Sequence, residues 1–443
     1  MSDTIFALAT PIGQSAIAIF RISGALSHHI AQGLCGKSLR HRMMMPCLLK
    51  DEAGNLLDDA MMVYLQAPAT PTGEDIVEIH CHGSLSVISA ITSYLGRQTG
   101  VRPAEPGEFT KRAFDNGKMD LTEVEGLADL IDAQTQSQRR QALGQLKGVM
   151  RKQATSWRDA IITLSGRMES LIDFSDEELP ESVSAEISAI RDTLIEALTQ
   201  ALDDKGRGEI IRNGLKVALL GGVNVGKSTA LNALAGRPAA IVSDEAGTTR
   251  DIVEVRLDLD GVAVILQDTA GIRDEAGHIE SIGIERAIEA AQQADLVILM
   301  ADASMKDWQE ETEKLSKTIT APMVKVLNKT DLLSAPIEVN EDFLPLCLHD
   351  EADISRLEDV LAAYCKPLNH SGAAPFITRE RHRLLASKAL SALEASAAAS
   401  LDMSPELVAE DLRVAADALG QMTGHIDVED ILSDIFSSFC IGK

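Results

Sequence analysis

The sequence predicts an α/β and α protein. A mixed α/β domain comes first, followed by a discontinuous helical domain into which a doubly wound, mainly parallel sheet domain is inserted. Three observations carry this. The apolar run Val217–Leu220 leads through Gly221-Gly222-Val223-Asn224-Val225-Gly226-Lys227-Ser228 into a helix-forming stretch, Thr229 to Ala235. Strand and helix patterns then alternate to about Pro367. Helical periodicity flanks that segment on both sides, from Leu121 onward and again after Asn369. The expected domains are 1–118, 119–210, 211–368 and 369–443, the second and fourth forming one helical domain.

Composition narrows the function classes. The chain has 443 residues, enough for about three domains. Its formal net charge of −26 argues against non-specific nucleic-acid binding by the whole surface. The apolar run Leu296–Ala301 is far short of a membrane span. The N-terminus lacks a basic stretch followed by an apolar core, so no secretory signal is expected. Six dispersed cysteines (35, 47, 81, 347, 365 and 440) have neither metal nor disulfide-framework spacing. The expectation is a cytoplasmic protein with no integral membrane contact.

Taken in order, Ile17–Ile22 and Asp75–His80 read as strands, and Ser84–Leu95 has helical periodicity. His80 and His82 would share one strand face. A strand end before Gly83 competes with a metal reading there, since no further ligand follows at suitable spacing. Gln136–Arg158 carries Arg139, Arg140, Lys147, Arg151, Lys152 and Arg158 with no acidic residue. This is either an RNA-facing stripe or a solvated helix face. Leu171–Pro180 is an acidic break, Ile187–Leu202 a helix, and Asp203–Gly214 a polar linker. Asp260-Gly261 between two apolar runs signals a hairpin. Strands are expected at Leu296–Met300 and Met323–Leu327, with helices at Ile284–Ala291, Ser355–Tyr364, Leu384–Ala399, Glu406–Leu419 and Val428–Phe439.

The Gly221–Ser228 stretch is a G-x-x-x-x-G-K-S phosphate loop in its required strand–loop–helix context. Backbone N–H groups and a helix N-terminus favour phosphate, Lys227 reaches β/γ oxygens, and Ser228 offers a hydroxyl to Mg²⁺. Asp268-Thr269-Ala270-Gly271 ends a strand, placing a carboxylate near Mg²⁺ and a glycine N–H near the γ-phosphate. Thr248-Thr249 lies between, where a switch threonine completes the Mg²⁺ shell. Asn328-Lys329-Thr330-Asp331 follows the next strand. Asp331 can accept from guanine N1–H and the 2-amino group, a donor pair adenine lacks, so GTP is selected. The expected nucleotide contacts are Asn224, Val225, Gly226, Lys227, Ser228, Thr229, Ser243, Asp244, Glu245, Ala246, Gly247, Thr248, Thr249, Asp268, Thr269, Ala270, Gly271, Asn328, Lys329 and Asp331.

Ile272 occupies the place after Asp-x-x-Gly where Ras-type GTPases put a water-orienting glutamine. Arg273, Asp274, Glu275 and Glu280 are candidates for that role. Asn224 is either a loop-shaping residue or a ligand for a monovalent cation, with Ser243–Thr248 closing the shell.

Beyond these motifs the chain resembles the MnmE (TrmE) family of tRNA uridine-modification GTPases over essentially its full length. The G-domain runs DEAGTTRD, DTAGIR and IGIERA carry part of the likeness. DTIFALATPIGQSAIAIFRISG, TGEDIVEIHCHG, PGEFTKRAFDNGKMDLTEVEGLADLIDA and the terminal FCIGK lie outside the G domain and carry the rest. The resemblance implies a Ras-like P-loop domain inserted in the helical domain, behind a tetrahydrofolate-binding and dimerising N-terminal domain. It implies folate contacts at Arg21, Glu78, Lys118 and Lys443, with Cys440 near the folate. Asn224, Ser243, Glu245 and Thr248 match a K⁺ site, Glu280 the residue that orients water, and Arg250 a switch arginine. It further implies a homodimer, an FAD-dependent MnmG-type partner in a hetero-oligomer, tRNA as substrate, and a 5-formyl or 5,10-methylene tetrahydrofolate derivative. Val223 stands where the family usually has proline, and no Ser-Ala guanine loop is recognisable near Leu346-Cys347-Leu348. Two rivals are a ribosome-assembly GTPase, which lacks the non-G-domain signatures, and a folate enzyme with a regulatory GTPase.

Overall fold

A computed structural model describes residues 3–173, 181–241, 254–268, 287–333, 342–370, 377–399 and 404–424, with isolated positions beyond. The chain runs β1 (Thr4–Leu8), β2 (Ser15–Ser23), α1 (Ser27–Cys35), β3 (Met45–Lys50), β4 (Leu56–Leu65), β5 (Ile76–Gly83), α2 (Leu85–Gly96), β6 (Val101–Pro103), α3 (Glu108–Asp115), α4 (Leu121–Asp132), α5 (Gln136–Leu146), α6 (Val149–Asp173) and α7 (Glu181–Leu202). There follow α8 (Arg207–Asn213), β7 (Leu215–Leu220), α9 (Lys227–Ala235), β8 (Glu254–Leu259), β9 (Val262–Asp268), β10 (Leu296–Asp302), α10 (Trp308–Ser316), β11 (Met323–Asn328), β12 (Phe343–Pro345), α11 (Glu351–His370), α12 (Glu380–Ala398) and α13 (Pro405–Thr423). Two compact units result: Met1–Ala128 with Gln145–Ile187 and Ala395–Lys443, and Asp129–Gly144 with Ser188–Glu394.

In the first unit, six strands pair in the order β3-β4-β5-β2-β1-β6. The strands alternate as a half-buried sheet must. Phe20, Ile22, Ile79 and Cys81 face a core with Leu34, Ile91 and Leu95 of α1 and α2. The intervening Ile19, Arg21, Glu78 and His80 project from the opposite face, on which Ile17, Leu48 and Met61 are exposed. Antiparallel pairing of β2 with β5 sets Arg21 opposite Glu78. The helical part follows a seven-residue repeat. Met150, Ala154, Trp157, Ile161, Leu164 and Met168 form the buried stripe of α6. They meet α13, whose buried stripe is Val408, Leu412, Ala415, Leu419 and Met422. Spacings of three and four put each set on one helix face, as in a coiled-coil seam.

In the second unit the order is β12-β11-β10-β7-β9-β8, parallel except for the edge hairpin β8–β9. Apolar runs such as β7 and β10 are buried on both faces. Val217 and Leu219 pack toward Leu231, Leu234, Leu357 and Leu361, while Ala218 and Leu220 pack toward Ala291 and Ile319. The hairpin turns at Asp260 (φ 53°) and Gly261 (φ 81°). Positive φ at both central residues gives the turn whose twist matches the strands.

Four readings change. Asp203–Gly214 is no simple linker. Gly206 adopts a left-handed conformation and starts α8, whose Ile211 is buried and whose Glu209 binds Arg383 at 3.0 Å. Its apolar content was too short to show a helical period. The basic stretch from Gln136 falls on two helices broken at Gly148 (φ 74°). Within it Arg140 donates to Asn369 Oδ1 at 2.7 Å, and Arg151 pairs with Glu123 at 3.4 Å, so part of its charge is used internally. Short α3 and β12 carried no periodic signal. Most of Val428–Phe439, and Ile284–Arg286, lie outside the described residues. Among the described residues no helix is long and apolar enough to cross a membrane.

Candidate functional site

The central strand β7 has β10 on one side and β9 on the other, so the chain crosses over in opposite directions from it. Ligands of open α/β sheets bind at such a switch point, outside the carboxyl ends of the strands. The phosphate loop leaves β7 there. Gly226 caps α9 at φ 106°, and a Cβ on it would run into Asn328 Nδ2. Only glycine combines that backbone with that clearance. Asn224 is exposed at φ 60°, in the left-handed region, which suits a short polar side chain. Val225 turns its side chain into the core, 2% exposed, leaving its backbone to face the loop interior.

Lys227 is buried and folds back over the loop. Its Nζ donates to the carbonyls of Gly221 and Gly222 at 2.7 and 2.8 Å. Burial pushes its ammonium below the ordinary lysine value, against the opposing pull of Asp268 and Glu311. A group so placed gains from any anion that enters the loop. Ser228 Oγ donates to Asp268 Oδ2 at 2.9 Å, which brings the first residues of α9 to the end of β9. A hydroxyl beside a carboxylate, both hard oxygen donors, suits Mg²⁺. Thr229 is half-buried on the same helix turn.

Asn328 ends β11 and is 3% exposed. Its Nδ2 donates to the Val225 carbonyl at 2.8 Å, and its Oδ1 accepts from Leu348 N–H at 3.3 Å. One side chain thus joins the phosphate loop, the Asn328–Asp331 loop and the turn after β12. Lys329 sits at φ 61° and its Nζ reaches Asp302 Oδ2 at 2.6 Å. Burial opposes ionisation of Asp302, but Lys329 and Ser304 outweigh it and hold the carboxyl below its usual range. Asp331 is exposed on a single 3-10 turn, Thr330–Leu332. Leu346–Leu348, where no guanine loop was legible, lies beside this loop, with Thr330 N–H donating to Leu346 carbonyl at 3.3 Å.

Sequence reasoning missed Asp302, Glu311 and Cys347. Asp302 had a signal, an acid ending an apolar strand; Glu311 and Cys347 come close only through the fold. Ser243, Asp244, Glu245, Ala246, Gly247, Thr248, Thr249, Arg250, Thr269, Ala270, Gly271 and Glu280 lie outside the described residues, as do Cys440 and Lys443.

On the first sheet, Arg21 donates to Glu78 Oε1 through Nε at 3.0 Å and through Nη2 at 2.8 Å. Its guanidinium lies 5.8 Å from the Phe109 ring centroid, and His80 Nε2 is 3.5 Å from Glu78 Oε2. Lys118 is exposed beside Gly73. Among the described residues no group of three metal-ligating side chains exists; His82 instead pairs with Asp58 at 2.8 Å. A cavity of about 170 Å³ lined by Asp129, Gln134, Gln138, Gln141, Arg212 and Arg256 shares no residue with the phosphate loop.

Fold and site together define a P-loop GTPase domain, carried in a chain with two further kinds of structure. The chain belongs to the MnmE family. The profile described as the MnmE helical domain matches residues 121–440, and that of the GTP-binding protein TrmE N-terminus matches residues 4–118. The tRNA modification GTPase MnmE of Parvibaculum lavamentivorans is 46% identical over 445 residues, covering 100% of both chains. That of Paramagnetospirillum magneticum is 42% identical over 447 residues, again covering 100% of both. A solved Era structure from Aquifex aeolicus covers 42% of this chain and 67% of its own, at 24% identity and a TM-score of 0.27.

Proposed function

We propose that this chain is a K⁺-stimulated GTPase, activated when two G domains of a homodimer meet, that serves tRNA wobble-uridine modification. With an FAD-dependent MnmG-type partner it would add an aminomethyl or carboxymethylaminomethyl group at C5, taking carbon from a tetrahydrofolate derivative. The observation that carries this is the family match along the whole chain, at 46% identity to a protein named for tRNA modification. We also propose the functional division 1–118, 119–210, 211–368 and 369–443, in a cytoplasmic protein.

On this reading the residues divide the work. Backbone N–H groups of Asn224–Thr229 and Lys227 hold the phosphates. Ser228, Thr249 and Asp268 suit Mg²⁺, which supplies charge neutralisation at the β/γ oxygens. Asp331 reads the guanine edge, and Asn328 sets its distance from the phosphate loop. Asn224, with Ser243, Glu245 and Thr248, would hold K⁺ and so offset transition-state charge. Glu280 would orient water. Arg21 and Glu78, paired beside Phe109, offer a cation, a carboxylate and an aromatic wall to a folate, with Lys118 and Lys443 meeting its carboxylates and Cys440 close by.

Mass spectrometry of tRNA from a deletion strain is the direct test. Unmodified wobble uridines, restored by the wild-type gene, are expected; unchanged modification sinks the proposal. Hydrolysis in K⁺ should greatly exceed that in Na⁺, and equal rates would refute the role of Asn224.

A further inference from the structure

Cys347 lies on the turn after β12, which is tied to the base-reading loop from both sides. Thr330 N–H donates to the Leu346 carbonyl, and Leu348 N–H to Asn328 Oδ1, each at 3.3 Å. The backbone of Cys347 itself is pinned. Its N–H donates to Asp353 Oδ2 at 2.7 Å and its carbonyl accepts from Asp350 N–H at 2.9 Å. With both peptide groups fixed, the side chain is presented to the Asp331 carboxylate, which it contacts. Among the described residues Cys35, Cys47, Cys81 and Cys365 are buried, while Cys347 is part-exposed at this loop.

The thiol is held in its protonated, donating form. The His349 backbone N–H lowers its pKa, but burial and the Asp331 carboxylate raise it, and the balance lies above the ordinary thiol value. Asp331 stands exposed on one short turn. To accept from guanine N1–H and the 2-amino group together, both its oxygens must lie in the plane of the base. An unrestrained carboxylate rotates freely, because the torsion to its sp² carbon is broad.

We propose that Cys347 is a positioning residue for base recognition, its S–H donating to Asp331 and fixing the plane in which that carboxylate meets guanine. The inference rests on the reading of Asp331 as the guanine selector. A thiol is a weak donor, so its effect is a tuning of specificity rather than an on–off requirement.

The test uses the full chain and measures dissociation constants for GDP and for IDP, which lacks the 2-amino group. C347A should weaken GDP binding about fivefold, the scale of one modest hydrogen bond, and leave IDP less affected, so the GDP preference shrinks. C347S, which restores a donor, should recover the preference. Equal losses for both nucleotides in C347A, or no recovery in C347S, would overturn the inference. Peptide-resolved alkylation of the wild-type chain by iodoacetamide needs no variant, and GDP should slow labelling at Cys347; unaltered labelling counts against it. Failure of the wild-type chain to bind GDP at all would overturn the guanine reading and this inference with it.

Discussion

Asn328→Ala tests the coupling at the heart of the nucleotide site. The side chain is 3% exposed and makes two hydrogen bonds, to the Val225 carbonyl at 2.8 Å and from Leu348 N–H at 3.3 Å. Alanine removes both partners' hydrogen bonds but leaves the backbone groups in place, in surroundings too tight for easy hydration. Each lost bond costs about 1 kcal/mol net, and stranding a buried polar group adds about 1–3 kcal/mol. The longer Leu348 bond is worth less, so about 3 kcal/mol in total is expected. For a unit of this size about 1 kcal/mol moves Tm by about 2–4 °C, so the transition of the nucleotide unit should fall by about 6–12 °C. Nucleotide affinity should drop as well, since the phosphate loop and base loop lose their shared anchor. Thermal unfolding by circular dichroism and titration with a fluorescent GDP analogue measure the two. Asn328→Asp should be no better, because the donor to Val225 is replaced by an acceptor. A stability change below about 0.5 kcal/mol with unaltered GDP affinity would refute the argument that this side chain joins the loops.

Gly226→Ala should abolish GDP binding in the same titration, because the new Cβ meets Asn328 Nδ2 on a backbone at φ 106°. Lys227 titrates below the ordinary lysine value because it is buried, and bound phosphates would raise it again. Binding therefore takes up a proton at alkaline pH, and affinity should fall as pH rises through the free-form pKa; calorimetry in buffers of different ionisation enthalpy reads the uptake. Asn369→Ala should cost about 1–2 kcal/mol by denaturant unfolding, since its side chain donates to the Asp260 carbonyl at 2.6 Å and accepts from Ser137 and Arg140. His82 is raised by the hydrogen bond and charge of Asp58, so the pair favours the fold below the unfolded imidazole pKa and loses that effect as pH rises through the folded one. Asp58→Asn should bring the His82 titration, followed by NMR, down toward the ordinary value.

The legible parts of the molecule have local causes. The strand–loop–helix of the phosphate site shows in sequence because backbone geometry there demands glycine and phosphate chemistry demands lysine within a few positions. The β8–β9 hairpin is announced by Asp260-Gly261 for a similar reason. The helix α6 reads as helical from its periodicity, which the seven-residue stripe from Met150 to Met168 explains. By contrast α8 was taken for a linker. It is short, starts at a left-handed glycine and is held by Arg383, well over a hundred positions away. Cys347 looked unremarkable for the same reason: its neighbour Asp331 is brought to it by strand pairing of β11 with β12.

By itself the sequence determined the class of chemistry, the order of domains and the family. Those rest on residue types at fixed local spacing, and such spacing survives in one dimension. Only the tertiary structure decided which side chains act together. The folding back of Lys227, the three-way anchor at Asn328, the Lys329–Asp302 pair and the Arg21–Glu78 pair all join residues set close by sheet register or buried side by side. Hydrogen bonds act over about 3 Å, a distance that strand order sets and sequence separation does not reveal.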